Sequence, residues 1–283
     1  MTSATLSHPA VTAGKATSAR GSRRSAAPGF LSSVGIEVLK MRRLRVLLVT
    51  AILITVSILM STLQLASMSR HGQLSDPSAQ PWESLLLSTA FYNPMIQPIF
   101  VAVLASRQTD IEHTGAGWNL AATSGLTPGA LCRVKLAALT LLIVPASIAQ
   151  SAVLIVIARV MGLSLPLDVG PWVAYTLLLA LVNIAMCAYH LWLATVVENQ
   201  LVVMSVGLLG GFTSVYMLLA PISLARMLPW GYYAMITPVK ISAVDDHAVI
   251  EYITPPMLWV IGFLALTALL FTVATRRLDR IER

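Results

Sequence analysis

Long apolar stretches alternate with short charged ones along most of this chain. The uncharged windows are residues 46–69, 84–106, 136–158, 169–197, 199–225 and 257–275, each 19 residues or longer. A helix needs about 20 residues to cross the hydrocarbon core of a bilayer. The windows lack the two-residue alternation of barrel strands and are too long for them. The pattern therefore predicts an all-α membrane protein with six transmembrane helices over 46–275. Composition agrees. Hydrophobic residues make up 57% of the chain, charged ones 11%, and the mean hydropathy is +0.78. A soluble domain carries about 25% charged residues, so this chain has too few to cover itself with a water-facing surface.

The first window, at 24 residues, is too long for a signal-peptide core and is preceded by a 45-residue leader. Residues 1–27 are rich in Ser, Thr, Ala and Gly, with Lys15, Arg20, Arg23 and Arg24 among them. They read as a disordered basic tail, a composition that a transit peptide shares. Residues 28–45 read as an amphipathic helix, with Phe30, Val34, Val38 and Met41 on one face and Glu37, Lys40, Arg42 and Arg43 elsewhere. Such a helix suits the membrane interface, and a plain juxtamembrane anchor has the same pattern.

Charge orients the chain. With the N-terminus inside, 15 of the 19 Lys and Arg fall on the inner side and four on the outer side. Both termini are then cytoplasmic, the last as a basic tail over 276–283. The net charge of +7 faces anionic lipid at the inner leaflet; no aromatic-interleaved basic patch points to nucleic acid. Cys132 and Cys187 are placed in different compartments, so a disulfide is not expected.

The connecting segments are unequal. Spans four and five are joined through Glu198, Asn199 and Gln200 alone, whereas spans two and three are joined by residues 107–135. In the longer segment, Asp110 and Glu112 suit the first turn of a helix. Trp118, Ala122 and Leu126 make a narrow apolar stripe. Ser124-Gly125 supplies a stop and Thr127-Pro128 a cap with Pro at N1, so a second helix runs through Arg133 and Lys135 into span three. The segment is shaped to be contacted from the cytoplasm. On the outer side, 226–256 is the large loop. Its stretch 228–238 is too apolar for a solvated loop and too short to span. Trp230, Tyr232 and Tyr233 suit the headgroup zone, and the segment is expected to dip into the membrane.

Polar residues inside the spans are few. Asn183 and His190 share a face of span four, either lining a pathway or bonding between helices. Gln97 and Gln150 sit near the middle of spans two and three, where interhelical hydrogen bonding is favoured. Gly207 and Gly211 form a small-residue motif that serves either a second copy or packing within the chain. No phosphate-binding loop, metalloprotease motif or hydrolase constellation occurs, and no cofactor is implied. The consecutive Asp245-Asp246-His247 rarely points at one metal ion. No acid lies within the spans, so a proton- or sodium-coupled carrier would lack its relay. The chain is not expected to be an enzyme, and energy for uphill transport would come from another subunit.

The six spans, the entry helix, the 107–135 segment with Glu112, Trp118, Pro128, Arg133 and Lys135, and the outer Pro229, Trp230 and Pro238 before span six resemble one known group. Over about residues 30–283 the chain is similar to ABC-2-type exporter permeases, in particular the lantibiotic-immunity permeases. The long Ser/Ala/Arg tail and Gly115 and Gly117 depart from that group. The resemblance implies a multi-pass permease of the bacterial cytoplasmic membrane. ATP hydrolysis would sit on a separate ABC ATPase subunit docked at Glu112, Trp118, Pro128, Arg133 and Lys135. It also implies a second permease copy or paralogue, and export of peptides or amphiphiles, whether in bacteriocin self-protection or drug efflux. A stand-alone secondary transporter and a non-transporting anchoring or assembly protein are the alternatives.

Overall fold

The computed structural model describes residues 29–115, 117–244 and 247–281. The expected tail 1–27 and the pair Asp245-Asp246 lie outside the described residues. In chain order the helices are α1 (Phe30–Arg43), α2 (Val46–Arg70), α3 (Pro81–Thr114), α4 (Gly117–Thr123), α5 (Pro128–Val160), α6 (Val169–Val196), α7 (Gln200–Leu219), α8 (Ile222–Ala225) and α9 (Gly231–Met235). A hairpin of β1 (Val239–Val244) and β2 (His247–Tyr252) then leads into α10 (Met257–Ile281). Six of these helices are long and apolar enough to cross a membrane: α2, α3, α5, α6, α7 and α10. Each uncharged window supplies one of them.

The helices outrun the windows where polar residues continue the turn. The α3 helix passes through Arg107, Asp110 and Glu112 to Thr114, and α10 continues to Ile281, so the expected basic tail 276–283 is helical up to that residue. A charge ends contact with hydrocarbon, but it does not end the backbone hydrogen bonding of a helix. Side-chain caps mark the true starts: Thr127 on α5, Asp168 on α6 and Asn199 on α7 each accept a backbone N–H of the first turn.

α3 and α6 are the most buried spans and run in the same direction through the bundle. α2, α6 and α7 pack along α3, and α5 closes against α2 and α6. α10 lies across α5 and α6 with most of its surface turned outward. The end of the bundle that carries α1 and α4 is the tail end; the opposite end carries the hairpin. The Gly207/Gly211 motif works within the chain. A Cβ at 207 would overlap that of Ala102, and one at 211 would come within 2.5 Å of the Met95 carbonyl oxygen.

The segment 226–256 is more ordered than a loop. α9 turns back into the bundle against α7 and α3, with Tyr232, Tyr233, Met235 and Ile236 buried. The expectation contained no strand here. β-Branched residues (Val239, Ile241, Val249 and Ile250) on either side of positions 245 and 246 instead pair Val239 with Tyr252 through to Val244 with His247. The Gln80 side chain binds the hairpin to the start of α3. Its Oε1 accepts the Ile250 N–H at 2.8 Å and its Nε2 donates to the Ile250 carbonyl at 2.9 Å.

α1 also differs from expectation. Its inner face holds Ser33, Val34, Glu37 and Met41, while Phe30 is exposed. Glu37 follows Val34 by three residues and precedes Met41 by four, which puts it on the apolar face instead of opposite it.

Close helix approach gives a testable consequence. Gly211→Val should destabilise the bundle by about 1–3 kcal/mol, the usual cost of overpacking a tight interior. A Cβ added at Gly262 on α10 would meet nothing within 4 Å, so Gly262→Ala should be neutral. Resistance to unfolding by SDS in mixed micelles measures both; equal resistance of Gly211→Val and the parent chain would rule out this α3–α7 contact.

Candidate functional site: the tail-end ion cluster and the α3–α5 connection

At the tail end, four charged side chains from three helices alternate in sign around a closed ring. Lys135 Nζ donates to Glu37 Oε2 at 2.7 Å and to Glu112 Oε1 at 2.8 Å. Lys40 Nζ donates to Glu37 Oε1 at 2.6 Å and to Glu112 Oε1 at 2.9 Å. The third N–H of Lys135 reaches the Gln108 carbonyl at 2.9 Å, and Gln108 Nε2 donates to Glu37 Oε2 at 2.7 Å. All three donors of a fully buried ammonium are thus satisfied. Burial alone would lower the Lys40 pKa, but the Glu37 and Glu112 carboxylates outweigh it and hold the pKa above its ordinary value of 10.5. A raised lysine value stabilises the fold fully below the ordinary pKa and loses that contribution only as pH rises through the folded one. Near neutral pH the ring therefore stays charged at Lys40.

The connection that follows is built from local rules. Gly117 approaches so close to Glu112 that any Cβ there would overlap the carboxylate, so glycine at 117 lets the turn lie directly on the ring. The short α4 ends in a Schellman motif: the Leu126 N–H donates to the Ala121 carbonyl at 2.9 Å and the Gly125 N–H to that of Ala122 at 3.0 Å. Gly125 has φ of 85°, as the expected stop requires. Thr127 caps α5 with Pro128 at N1.

The five residues expected at the ATPase contact occupy different environments. Glu112 and Lys135 lie inside the ring and Pro128 is buried. Arg133 is tied to α10, its guanidinium donating to Asp279 Oδ2 and Thr275 Oγ1, each at 3.1 Å. Trp118 is half-buried against a cluster that includes Phe271 and Leu191. Its Nε1 donates to His113 Nδ1 at 3.4 Å, while His113 Nε2 lies 2.8 Å from the Ala194 carbonyl. Both bonds form together only in the tautomer with the proton on Nε2. What α4 presents outward is Leu120, 72% exposed, with Ala122 beside it. Four of the five residues therefore frame the segment from within. Glu112 is enclosed because α1 folds over it, and no local signal in 107–135 announces that.

A second polar assembly lies midway through the bundle. Ser57 of α2 donates to Asn93 Oδ1 at 2.7 Å, and Gln150 Nε2 of α5 donates to the same oxygen at 2.7 Å and to Ser57 Oγ at 3.0 Å. Gln97 Nε2 donates to Gln150 Oε1 at 3.1 Å, and Asn183 Nδ2 to Gln97 Oε1 at 3.0 Å. The two ends are tyrosines. Asn93 Nδ2 donates to the Tyr175 hydroxyl at 3.0 Å, and the Tyr233 hydroxyl donates to Asn183 Oδ1 at 2.9 Å. Tyr233 is thus buried inside the bundle, where its hydroxyl completes this chain. Trp230 is half-buried against Tyr189, and the buried Tyr232 stacks on Phe263. His190, on the same face as Asn183, is equally buried. Neither of its ring nitrogens has a hydrogen-bond partner among the described residues. The sequence points to Gln97, Gln150 and Asn183 but not to Ser57, Asn93, Tyr175 or Tyr233. Asn93-Pro94 and Gln97-Pro98, an amide side chain before each internal proline at four-residue spacing, are the signal that could have found the assembly.

The ring makes a sharp test. Lys135→Met leaves two buried carboxylates with one shared cation, and breaking a buried ion pair costs about 3–5 kcal/mol. Lys40→Met should cost less, since its side chain keeps 30% exposure. Adding Glu112→Gln to Lys135→Met should recover part of the loss, because one unpaired charge is removed. Resistance to SDS unfolding reads all three, and a double variant weaker than Lys135→Met would show that the ring does not act as one unit.

Comparison with known proteins follows the same outline. Residues 33–218, two-thirds of the chain, match the family model described as ABC-2 family transporter protein. The match begins within α1 and ends at α7, so it takes in the ion ring, the α4 connection and all of the mid-bundle polar chain except Tyr233. No curated protein and no solved structure matches the chain. With its six membrane-crossing helices and a family match over most of its length, this chain belongs to the ABC-2 transporter family.

Proposed function

We propose that the chain is the transmembrane permease subunit of an ATP-driven exporter, with its tail end on the cytoplasmic side of a bacterial membrane. A separate ABC ATPase would dock on α4 and supply the energy, and a second permease copy or paralogue would complete the pathway. The substrates would be peptides or amphiphiles, with bacteriocin or lantibiotic self-protection and drug efflux as the two settings. The observation that carries this reading is the construction of α4. It is a short helix with an exposed apolar side chain at its surface, seated on a ring of buried ion pairs that links α1, α3 and α5. A push on such a helix moves three elements together.

The mid-bundle chain supports an energy source outside this subunit. It consists of amides and hydroxyls, so it has no charge to gain or lose as a coupling ion passes. Its Tyr233–Asn183 link joins the in-turned α9 to the core, a connection through which the hairpin end can follow movements of α6. Asn183 and His190 are the residues we assign to the pathway, closed in this conformation.

Leu120→Asp should weaken ATPase binding by about thirtyfold or more, since truncating an apolar hot spot costs about 2 kcal/mol and 1.4 kcal/mol is one decade. Trp118→Ala should weaken it similarly by unseating α4, and Leu120→Met should leave it unchanged. Binding of the purified ATPase to the chain in nanodiscs measures each; wild-type affinity in Leu120→Asp rules out α4 as the contact.

The pathway assignment has a separate check. In a background with Cys132 and Cys187 replaced by Ala, His190→Cys should resist a membrane-impermeant maleimide at rest. Labelling should appear once the ATPase and nucleotide are bound. Absence of labelling in every nucleotide state returns His190 to packing.

A further inference from the structure

A cavity of about 790 Å³ is separate from both polar assemblies. That volume falls within the usual range of ligand sites, about 300–1,000 Å³. It is a groove between α6 and α10, closed at the hairpin end by the segment 226–232. Its walls are almost wholly apolar, including Met186, Trp192, Phe263, Leu266 and Leu270. The lining residues of α10 run from Leu258 to Ala274, about 24 Å at 1.5 Å per residue. That is longer than one leaflet, which is half of a core about 30 Å thick.

One charged residue lines the groove, and it stands at the mouth. Arg226 is half-buried, its guanidinium 4.6 Å from the centre of the Trp259 ring. Its Nε is buried without a hydrogen-bond partner, and it forms no ion pair among the described residues. Arg159 on the same side of the bundle also lies over a tryptophan, but its Nη1 donates to the Leu163 and Leu165 carbonyls. Arg226 therefore has a rigid cationic fork with free donors, placed where a long apolar slot meets the end of a membrane-crossing helix. A buried guanidinium without an anion is costly, and an anion brought by an apolar chain satisfies both parts of the site.

We propose that this groove binds an anionic phospholipid drawn from the surrounding bilayer, its phosphate on Arg226 and one acyl chain laid along α10. The site belongs to the permease chain itself and does not depend on the ATPase partner. Trp259 and Tyr232 flank the phosphate at the depth where aromatic side chains meet headgroups. Gly262 lies in the groove wall with open space in front of it, which keeps the slot wide enough for a chain.

The test uses the full chain in nanodiscs of phosphatidylcholine, doped with phosphatidylglycerol that carries a photoactivatable diazirine on one acyl chain. A phosphatidylcholine with the same labelled chain is the control. After irradiation, mass spectrometry locates the crosslinks. Phosphatidylglycerol should label α6 between 186 and 192 and α10 between 262 and 270 about tenfold more than the control does. In phosphatidylcholine the same phosphate is already paired with its own choline, and a difference of about 1.4 kcal/mol in attraction to Arg226 gives that factor. Arg226→Gln should reduce phosphatidylglycerol labelling to the control level, and Arg226→Lys should keep part of the preference. Gly262→Phe should lower labelling of the groove by both lipids while the outward face of α10 still labels. Equal labelling by the two lipids in the parent chain overturns the proposal and leaves the groove as ordinary bilayer contact. Groove protection that depends on dilution of the chain, with no lipid preference, also overturns it and assigns the face to a second copy.

Discussion

Lys135 is the residue on which the tail end of the molecule depends. Its ammonium sits inside a helix bundle where an unpaired charge would be prohibitive, so the surrounding chain has to bring partners to it. α1 brings Glu37, α3 brings Glu112 and the Gln108 carbonyl, and Lys40 balances the second acid. The result is neutral as a set and fully bonded at its buried cation. Removing any one member leaves charge without compensation, so the positions of three helices are fixed together. The turn into α4 is then forced onto this ring by Gly117, and the direction of α5 out of it by Thr127 and Pro128.

Charge and depth are sorted consistently. Among the described residues, ionic contacts lie at the two ends of the bundle, with the Glu37/Lys40/Glu112/Lys135 ring and Arg133–Asp279 at one and Lys240–Glu251 at the other. Midway, helices are joined by Ser57, Asn93, Gln97, Gln150 and Asn183, whose amides and hydroxyls can be buried once their hydrogen bonds are made. Bonds of this kind between membrane helices contribute about 0.6–2 kcal/mol each, enough to set register and small enough to exchange. A transporter needs that combination. In the proposed permease the ion ring would serve as a firm lever at one end and the amide chain as a centre that can rearrange, with α9 and Tyr233 linking that centre to the opposite end.

His190 and Arg226 are among the buried polar groups of the described residues that lack a hydrogen-bond partner. Among the described residues the first is buried with no partner, the second half-buried with a free Nε, and each lies on α6 or beside it. His190 lies in the face assigned to the pathway and Arg226 at the mouth of the apolar groove, so each has a proposed partner outside the present contacts.

The linear pattern determined the number of spans, their approximate limits, the stop at Gly125 and the helix start at Thr127-Pro128. Asp110 and Glu112, expected in the first turn of the connecting helix, lie instead in the last turns of α3. The features it did determine follow from local causes. Apolar length sets a span, Gly125 takes a left-handed turn that other residues resist, and Thr127-Pro128 starts a helix wherever it occurs. The ABC-2 family, though not the lantibiotic-immunity group within it, also followed from this outline, since the match takes in the first five spans and the connection between spans two and three. What only the tertiary structure decided is which polar residues meet. Glu112 and Lys135 look like surface groups until α1 covers them, and Glu37 belongs to the apolar face only because two acids and two bases close there. Tyr233 turns into the bundle, where Asn183, 50 residues earlier, offers an acceptor. Such pairings depend on distance in space between residues far apart in the chain, and periodicity along one helix carries no record of what lies across from it.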